Sequence, residues 1–199
     1  FLTAPFNTPD GKLEGAGKAA NAAKSGVADI LANDDADAIA KAKKLAAILP
    51  ANNISLAGND EFAENDAAVS ASLKGAALVA ALADKNSVVE LGAEFGTAAY
   101  TAFASVNWAT VAFDATDKAA KLTAADSAKI ARFVQLADVF SIPVVTIVNT
   151  EGFEASSTAE LAGSVRDAAK LAQVYASATT TKINLITGKA VGSAYAAFD

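Results

Sequence analysis

Two apolar runs near the end of the chain decide the fold. Residues 143–148 read PVVTIV, and residues 182–187 read KINLIT. The first run is almost continuously apolar, which is typical of a strand buried on both faces. A loop over residues 149–157 and a long helix to about Ala178 are predicted between the runs, and another helix begins near the end of the chain. Strand, helix, strand and helix in succession predict parallel strands joined by right-handed crossovers, and therefore an α/β fold.

The residues before this segment predict a helix and an antiparallel meander. The helix is expected to begin at Thr123, where Asp126 completes a capping box, and to end before Pro143. Ahead of it, three short β-type runs have the spacing of a meander. These runs cover residues 87–91, 99–106 and 110–113.

The N-terminal third carries weaker signals. Residues 1–26 are rich in Gly, Pro and Asn and predict an irregular lead-in. Asn33 or Asp34 can cap a helix that ends at Pro50. Two further segments are expected: a polar linker over residues 50–66 and a helix over residues 66–84.

The composition excludes several kinds of chemistry. The 199 residues carry a net charge of −6 and include no His, Cys or Met. Without His and Cys, the chain cannot by itself build a Ser-His-Asp triad, a Cys nucleophile, a disulfide or a thiolate zinc site, and no metal site is expected. An acidic chain with no basic face argues against a nucleic-acid partner. No apolar run approaches the roughly 20 residues that span a bilayer, and no signal-peptide pattern is found, so a cytoplasmic protein is expected.

The loops after the two C-terminal strands are the best candidates for a site. Ligands of parallel sheets bind where loops leave the carboxyl ends of strands. The first loop covers residues 149–153, with small residues in the predicted helix after it, and the second covers residues 188–195. Backbone N–H groups in such loops stabilise an oxyanion without any ionisable side chain. The residues alone equally allow Gly192 and Ala194 to serve only the close packing of helix and strand.

At these residues the sequence resembles the carboxyltransferase subunits of biotin-dependent acyl-CoA carboxylases and decarboxylases, in the crotonase superfamily. The family stretch F-x-I-P-[LV]-V-T-[FL]-V-D-[TV]-P-G-F is similar to residues 140–153, FSIPVVTIVNTEGF. Its G-G-x-x-R helix, which continues G-A-K-L, is similar to residues 162–171, AGSVRDAAKL. Its K-V-T-V-I-T-x-K-A-Y-G-G-A-Y is similar to residues 182–195, KINLITGKAVGSAY. Shorter matches extend the resemblance over essentially the whole chain: residues 1–5 (FLTAP), 94–96 (EFG) and 125–134 (ADSAKIARFV).

The resemblance implies a crotonase/ClpP-like α/β fold, built from repeated strand-strand-helix units with parallel strands and crossover helices. Residues 1–66 would then be a lead-in, helix and linker resembling the end of the family's first half. Residues 67–199 would be a carboxyltransferase half truncated at its C-terminal end. The family moves a carboxyl group between N1 of biotin and the α-carbon of an acyl-CoA, and backbone N–H groups hold the oxyanions that form.

The resemblance also assigns site residues, cofactors and partners. It implies that Ser193 and Ala194 are backbone oxyanion donors on the biotin side. The same cleft would be lined by Gly152, Phe153, Ala162, Gly163 and Gly192. It implies biotin on a carrier protein as cofactor and a coenzyme A thioester as substrate. The implied partners are the biotin carrier protein and the carboxyltransferase half missing from this chain, in a homo- or hetero-oligomer.

Departures from the family pattern leave two alternatives open. Asn149 and Glu151 replace the usual Asp and Pro, and Ala162 and Ser193 replace glycines. These substitutions favour a non-catalytic scaffold subunit that docks the biotin carrier or an acyl-CoA. A crotonase-type hydratase or isomerase is the weaker alternative, because such enzymes rely on acid–base carboxylates and only Glu151 or Glu154 is placed to serve.

Overall fold

The computed structural model describes residues 17–55, 62–70, 72–116 and 121–198. Within these ranges the chain forms seven helices and five strands. The helices are α1 (Ala19–Lys24), α2 (Asp35–Ile48), α3 (Gly75–Leu82), α4 (Ala124–Val139), α5 (Ser157–Leu161), α6 (Ser164–Ser177) and α7 (Gly192–Ala196). The strands are β1 (Val89–Glu90), β2 (Tyr100–Val106), β3 (Ala109–Ala115), β4 (Val144–Thr150) and β5 (Lys182–Ala190). The family-like stretch at residues 1–5 lies outside the described ranges.

The five strands form one sheet in the order β1-β2-β3-β4-β5. β1, β2 and β3 pair antiparallel, which confirms the predicted meander. β3, β4 and β5 pair parallel, with α4 crossing from β3 to β4, and α5 and α6 crossing from β4 to β5. The predicted α/β class with crossover helices is therefore confirmed, and the carboxyl ends of β4 and β5 meet at one edge of the sheet.

Helix starts follow the capping residues that the sequence shows. The Asp34 side chain accepts a hydrogen bond from the backbone N–H of Asp37 at the start of α2. At the start of α4, Thr123 and Asp126 form the reciprocal bonds of a capping box. Each cap gives a partner to an N–H group that has none inside the helix, so these two boundaries could be placed from local sequence.

The sheet separates two apolar layers. On one face, α4 and α6 cover the central strands, and the core there includes Phe103, Ile130 and Leu171. On the other face, α3 packs on β2 and β3 through Leu78 and Val79. β4 lies between the two layers and is buried from both sides, as its sequence predicts. The division of the chain at residue 66 stays a prediction.

Two predictions about the N-terminal third and the second helix need correction. The lead-in contains the short helix α1 among its described residues. The helix expected from Asp66 begins only at Gly75. The reason is Asn65, whose amide nitrogen donates to the carbonyl oxygens of Ala80 and Ala83 at the far end of α3. The segment before α3 must therefore run back along that helix and cannot extend it.

The long helix predicted after the first loop is broken in two. α5 ends at Leu161 and α6 begins at Ser164, while Gly163 between them has a φ of 93°. A left-handed residue ends an α-helix, and glycine adopts this conformation without a steric penalty. The sequence pattern predicts that Ala162 and Gly163 lie inside one helix. This prediction is wrong, because the two residues lie at the junction of α5 and α6. β5 also continues to Ala190, beyond its predicted end at residue 187, which shortens the second loop.

Candidate active site

Both candidate loops lie at the carboxyl edge of the parallel strands. β4 ends at Thr150 and β5 ends at Ala190, and these two residues are register partners. The register shifts between Val148 and Thr150, which marks an irregularity where the first loop leaves the sheet. An added Cβ on Gly152 would lie 3.7 Å from the carbonyl oxygen of Val191, so the two loops run side by side.

Side chains join the two loops directly. The Asn149 Oδ1 accepts a hydrogen bond of 2.8 Å from the backbone N–H of Lys189. The Lys189 ammonium forms an ion pair with the Glu151 carboxylate, and its hydrogen bond lowers the pKa of that carboxyl below the usual range. A Cβ on Gly188 would overlap the Asn149 amide, so a larger residue at this position requires the Asn149 side chain to move. Asn149 and Glu151, the two departures from the family pattern in the first loop, thus connect it to the second.

The second loop turns into α7 at Gly192, which has a φ of 66°. Ser193 and Ala194 occupy the first turn of α7, where backbone N–H groups have no acceptor inside the helix. Across the described chain, neither N–H has an acceptor elsewhere. Ser193 is exposed and Ala194 is buried. The predicted oxyanion donors are therefore two unpaired N–H groups at the edge of the sheet.

A cavity of about 620 Å³ lies beside Ser193. α6, α7 and the loop after β4 form its walls. Most of the lining residues are apolar, and apart from Phe153 these are small: Val165, Ala168, Ala172, Ala196 and Ala197. Glu154 and Glu160 bring carboxylates to it, and among the described lining residues there is no cationic side chain. The cavity therefore presents a largely apolar surface with two carboxylates on its wall.

The structure brings some of the predicted site residues together and separates others. Phe153 and Ser193 line the cavity, and Gly192 and Ala194 lie next to Ser193. The Gly152 carbonyl accepts a hydrogen bond from the Leu122 N–H, which holds the first loop against the segment before α4. Ala162 lines a different cavity beside the start of α4. At Gly163, an added Cβ would meet the Arg166 guanidinium at 2.5 Å.

The contribution of α6 to the cavity is not among the features predicted from the sequence. Val165, Ala168 and Ala172 repeat at intervals of three and four residues, the spacing of one helix face. This pattern could have indicated that one face of α6 forms a wall. The likeness of residues 162–171 to a family motif does not by itself indicate this role.

Behind the cavity lies a buried polar cluster that the sequence did not indicate. The Asp114 Oδ2 on β3 accepts hydrogen bonds from the Tyr175 hydroxyl at 3.0 Å and the Thr146 hydroxyl at 3.1 Å. The two hydroxyl oxygens lie 2.7 Å apart. The Asp114 Oδ1 has no partner in the part of the chain that the structure describes. Burial raises the pKa of the Asp114 carboxyl to about 7, although the two hydrogen bonds act in the opposite direction.

Solved structures show which class of fold carries such a site. The chain superposes on a crystal structure of transcarboxylase 12S with hydrolysed methylmalonyl-coenzyme A bound, with a TM-score of 0.78. The two are 32% identical, and the match covers 90% of this chain and 38% of that one. A single-chain, multi-domain long-chain acyl-CoA carboxylase shares the fold with a TM-score of 0.77 at 23% identity, over 87% of this chain and 18% of that chain. The predicted crotonase-type α/β fold is confirmed.

The chain belongs to the carboxyl transferase domain family, which matches residues 10–199. The propionyl-CoA carboxylase beta chain of Saccharopolyspora erythraea is 34% identical, over 86% of this chain and 36% of its own length. The methylmalonyl-CoA decarboxylase subunit alpha of Propionigenium modestum is 32% identical, over 87% of this chain and 36% of its own length. The chain thus spans little more than a third of these relatives. The family resemblance drawn from the sequence motifs is confirmed.

Proposed function

We propose that this chain is a component of a biotin-dependent carboxyltransferase that moves a carboxyl group between biotin and an acyl-CoA. The observation that carries the proposal is the unpaired N–H group of Ser193 beside a largely apolar cavity, with the unpaired N–H of the buried Ala194 next to it in the chain. Membership of the carboxyl transferase domain family supports it. The names of the relatives, a propionyl-CoA carboxylase and a methylmalonyl-CoA decarboxylase, support an acyl-CoA as substrate.

The residues present fit biotin. A bicyclic ring with apolar faces matches the alanine and phenylalanine lining, and its ureido oxygen needs donors of the kind that Ser193 and Ala194 offer. When bound, biotin supplies the nitrogen that carries the carboxyl group. The two backbone N–H groups would donate to the oxygen on which negative charge develops during transfer. Such donors act in the transition state, and losing one typically costs about 3–4 kcal/mol.

The other predicted residues have supporting roles in this proposal. Phe153 would pack against the ligand, and Gly152 would hold the first loop near Val191. Gly192, with its positive φ, allows the chain to turn from β5 into α7, whose first turn includes Ser193. Ala162 and Gly163 would affect the cavity indirectly. The left-handed Gly163 sets the direction of the first turn of α6, and Ser164 and Val165 in that turn line the cavity.

The partners are part of the same proposal. We infer that a biotin carrier protein and a chain carrying the family's first half complete the site, in a homo- or hetero-oligomer at a cytoplasmic location. The transcarboxylase 12S structure is described as a hexamer assembly and a multienzyme core, which supports an oligomer. No helix in the described ranges is long and apolar enough to cross a membrane. The net charge of −6 favours partners other than nucleic acid.

Reconstitution tests the proposal. The chain is assayed alone and together with a chain supplying the family's first half, with free biotin, for decarboxylation of malonyl-CoA and methylmalonyl-CoA. We expect turnover only in the reconstituted mixture, because the lone chain offers one set of oxyanion donors. Substantial turnover by the lone chain would overturn the half-site part of the proposal.

A non-catalytic scaffold is the second candidate, and the joined loops favour it. Asn149, Glu151 and Lys189 connect the two loops, and the first two are residues at which the chain departs from the family pattern. Binding of biotin or coenzyme A without turnover in the reconstituted mixture would support this candidate. A hydratase or isomerase is less favoured, because Glu151 is already paired with Lys189. Of the two carboxylates predicted for acid–base chemistry, that leaves Glu154, which lines the cavity together with Glu160.

A further inference from the structure

Tyr175 connects one wall of the cavity to the centre of the sheet. It follows the cavity-lining Ala172 on α6 by almost one turn, and it is fully buried. Its hydroxyl reaches Asp114 on β3 and Thr146 on β4. α6 is therefore anchored to two neighbouring strands by directional bonds in addition to its apolar contacts.

Phe198 extends the same arrangement to the other wall. Its ring packs edge-on against the Tyr175 ring, with centroids 5.3 Å apart and an interplanar angle of 75°. Its carbonyl oxygen accepts a hydrogen bond of 2.8 Å from the Asn184 side chain on β5. Ala197, directly before it, lines the cavity. The contact between Tyr175 and Phe198 thus joins the C-terminal turn of α6 to the residues directly after α7.

The polar cluster is a costly way to stabilise a core. A buried polar atom without a partner is unfavourable, and the Asp114 Oδ1 is such an atom among the described residues. Apolar side chains of similar volume often stabilise a core equally well or better. Apolar contacts, however, are not directional, whereas the bond from the Tyr175 hydroxyl to Asp114 and its close contact with Thr146 restrict the rotation and height of α6 above the sheet. The cluster is therefore better suited to positioning α6 than to stabilising the core.

We propose that Asp114, Thr146 and Tyr175 are positioning residues that set the width of the cavity between α6 and α7. The inference rests on the proposed function, since it takes this cavity as the site of carboxyl transfer. Loss of the Tyr175 hydroxyl would leave α6 free to shift against Phe198, and the cavity would lose its fixed width. Ligand binding would weaken, while the N–H groups of Ser193 and Ala194 would remain in place.

The state of the Asp114 carboxyl bears on the same positioning. The Asp114 carboxyl is contacted by Thr146 from β4 and by Tyr175 from α6. On β2, the register partner of Asp114 is Thr101, whose hydroxyl donates to the Leu91 carbonyl oxygen. The Lys182 ammonium on β5 binds the Tyr175 carbonyl oxygen. Burial raises the pKa of the Asp114 carboxyl, without a contribution from a neighbouring charge. The Tyr175 and Thr146 hydroxyls oppose this rise, because both donate to the oxygen that carries the charge when the carboxyl ionises.

Kinetics of Tyr175→Phe in the reconstituted carboxyltransferase test the proposal. We expect the KM for free biotin to rise roughly fivefold to tenfold, the equivalent of about 1–1.4 kcal/mol for one buried hydrogen bond, with kcat within twofold. Tyr100→Phe is the matched control, because Tyr100 is a buried tyrosine on the opposite face of the sheet. An equal KM for Tyr175→Phe, Tyr100→Phe and the unmodified chain would overturn the inference.

Amide hydrogen exchange provides a readout that does not depend on turnover. In Tyr175→Phe, exchange should accelerate in residues 164–172 and at Ala197 and Phe198, and should stay unchanged at Ser193, at Ala194 and in α3. Exchange that is unchanged everywhere, or faster throughout the chain, would mean that the cluster does not position these two walls. If the unmodified complex shows no carboxyl transfer, the proposed function fails, and the exchange pattern still decides the positioning role.

Discussion

β4 and β5 are adjacent parallel strands of similar apolar sequence, yet their environments differ sharply. Val144, Ile147 and Val148 on β4 are fully buried. On β5, Ile183 is 52% exposed and Ile186 is 50% exposed. β4 has a strand on each side and a helical layer on each face, whereas β5 lies at the edge of the described sheet and α3 does not reach it. Apolar sequence therefore predicts a strand, but neighbours determine whether the strand is buried.

The two strands also differ in the loops that leave their carboxyl ends. The loop after β4 is fixed at Leu122, which donates to the Gly152 carbonyl and accepts from the Glu154 N–H. The loop after β5 ends in two N–H groups that are unpaired within the described chain. We interpret β4 as the structural support of the site and the end of β5 as its reactive part. Four expected effects, each measured with its own substitutions, test this division.

The largest expected effect is on the stability of β4. Ile147→Ala should lower the free energy of unfolding by about 2–5 kcal/mol, because it opens a cavity at a fully buried position. Ile183→Ala on β5 is the matched substitution, and about half of that side chain is already in water, so its cost should be well under half as large. Urea unfolding of both variants measures the difference. Equal losses would show that β5 is covered in solution.

The second effect concerns the buried carboxyl that faces β4. The folded-state pKa of Asp114 is about 7, well above the usual value of 3.8, so the folded state binds a proton that the unfolded chain has released. Its contribution to stability is therefore fully present below about pH 4 and is lost as the pH rises to about 7. The loss is of the order of 4 kcal/mol.

Asp114→Asn removes this titration. Urea unfolding of the variant and the unmodified chain between about pH 4 and pH 8 should give stabilities that diverge in favour of the variant as the pH rises. Parallel stability curves would contradict the raised pKa. The pKa of Asp138 is lowered by hydrogen bonds from Thr179 and Thr180, so its contribution to stability is lost only as the pH falls below about 4. Asp138→Asn is therefore a control whose effect should stay constant between about pH 4 and pH 8.

The third effect falls on the reactive end of β5. Ser193→Pro removes one proposed oxyanion donor at a helix position where the N–H has no intrahelical partner. We expect kcat of the reconstituted carboxyltransferase to fall by about 10²–10³-fold. Ser193→Ala keeps the N–H and should retain nearly full activity. If both variants were equally active, the backbone of Ser193 would have no part in the reaction.

The smallest effect concerns the contact between the two strand ends. Gly188→Ala forces a Cβ into the Asn149 amide, and overpacking of this kind typically costs about 1–3 kcal/mol. In an Asn149→Ala background the same substitution should cost less, because the obstructing side chain is gone. A double-mutant cycle by urea unfolding measures the coupling between the two positions. Additive costs would mean that the loops are not joined through this pair.

The fold was predictable where its determinants are local. The capping box of Thr123 and Asp126, the Asp34 cap and the continuous apolar run of β4 each lie within a few consecutive residues. The family motifs then placed Ser193 at the correct strand end. Each of these signals is complete within one segment, so no knowledge of the tertiary structure was needed.

The features that could not be predicted depend on distant partners. Asp114 and Tyr175 are 61 residues apart, and neither carries a local sign of the other. The break at Gly163 was hidden by the helix-forming residues around it. Asn65 prevented α3 from starting early only because it reaches the far end of that helix. The width of the cavity depends on packing between α6 and α7, which no single segment encodes.

The contact between Asn149 and Gly188 has a consequence for how this family varies over time. The two residues are distant in sequence, yet one fills the space that a side chain at the other would need. A relative that carries a larger residue at position 188 must have turned or shortened the side chain at position 149. The side chain at position 149 is therefore expected to point in a different direction in relatives whose residue at position 188 is larger than glycine.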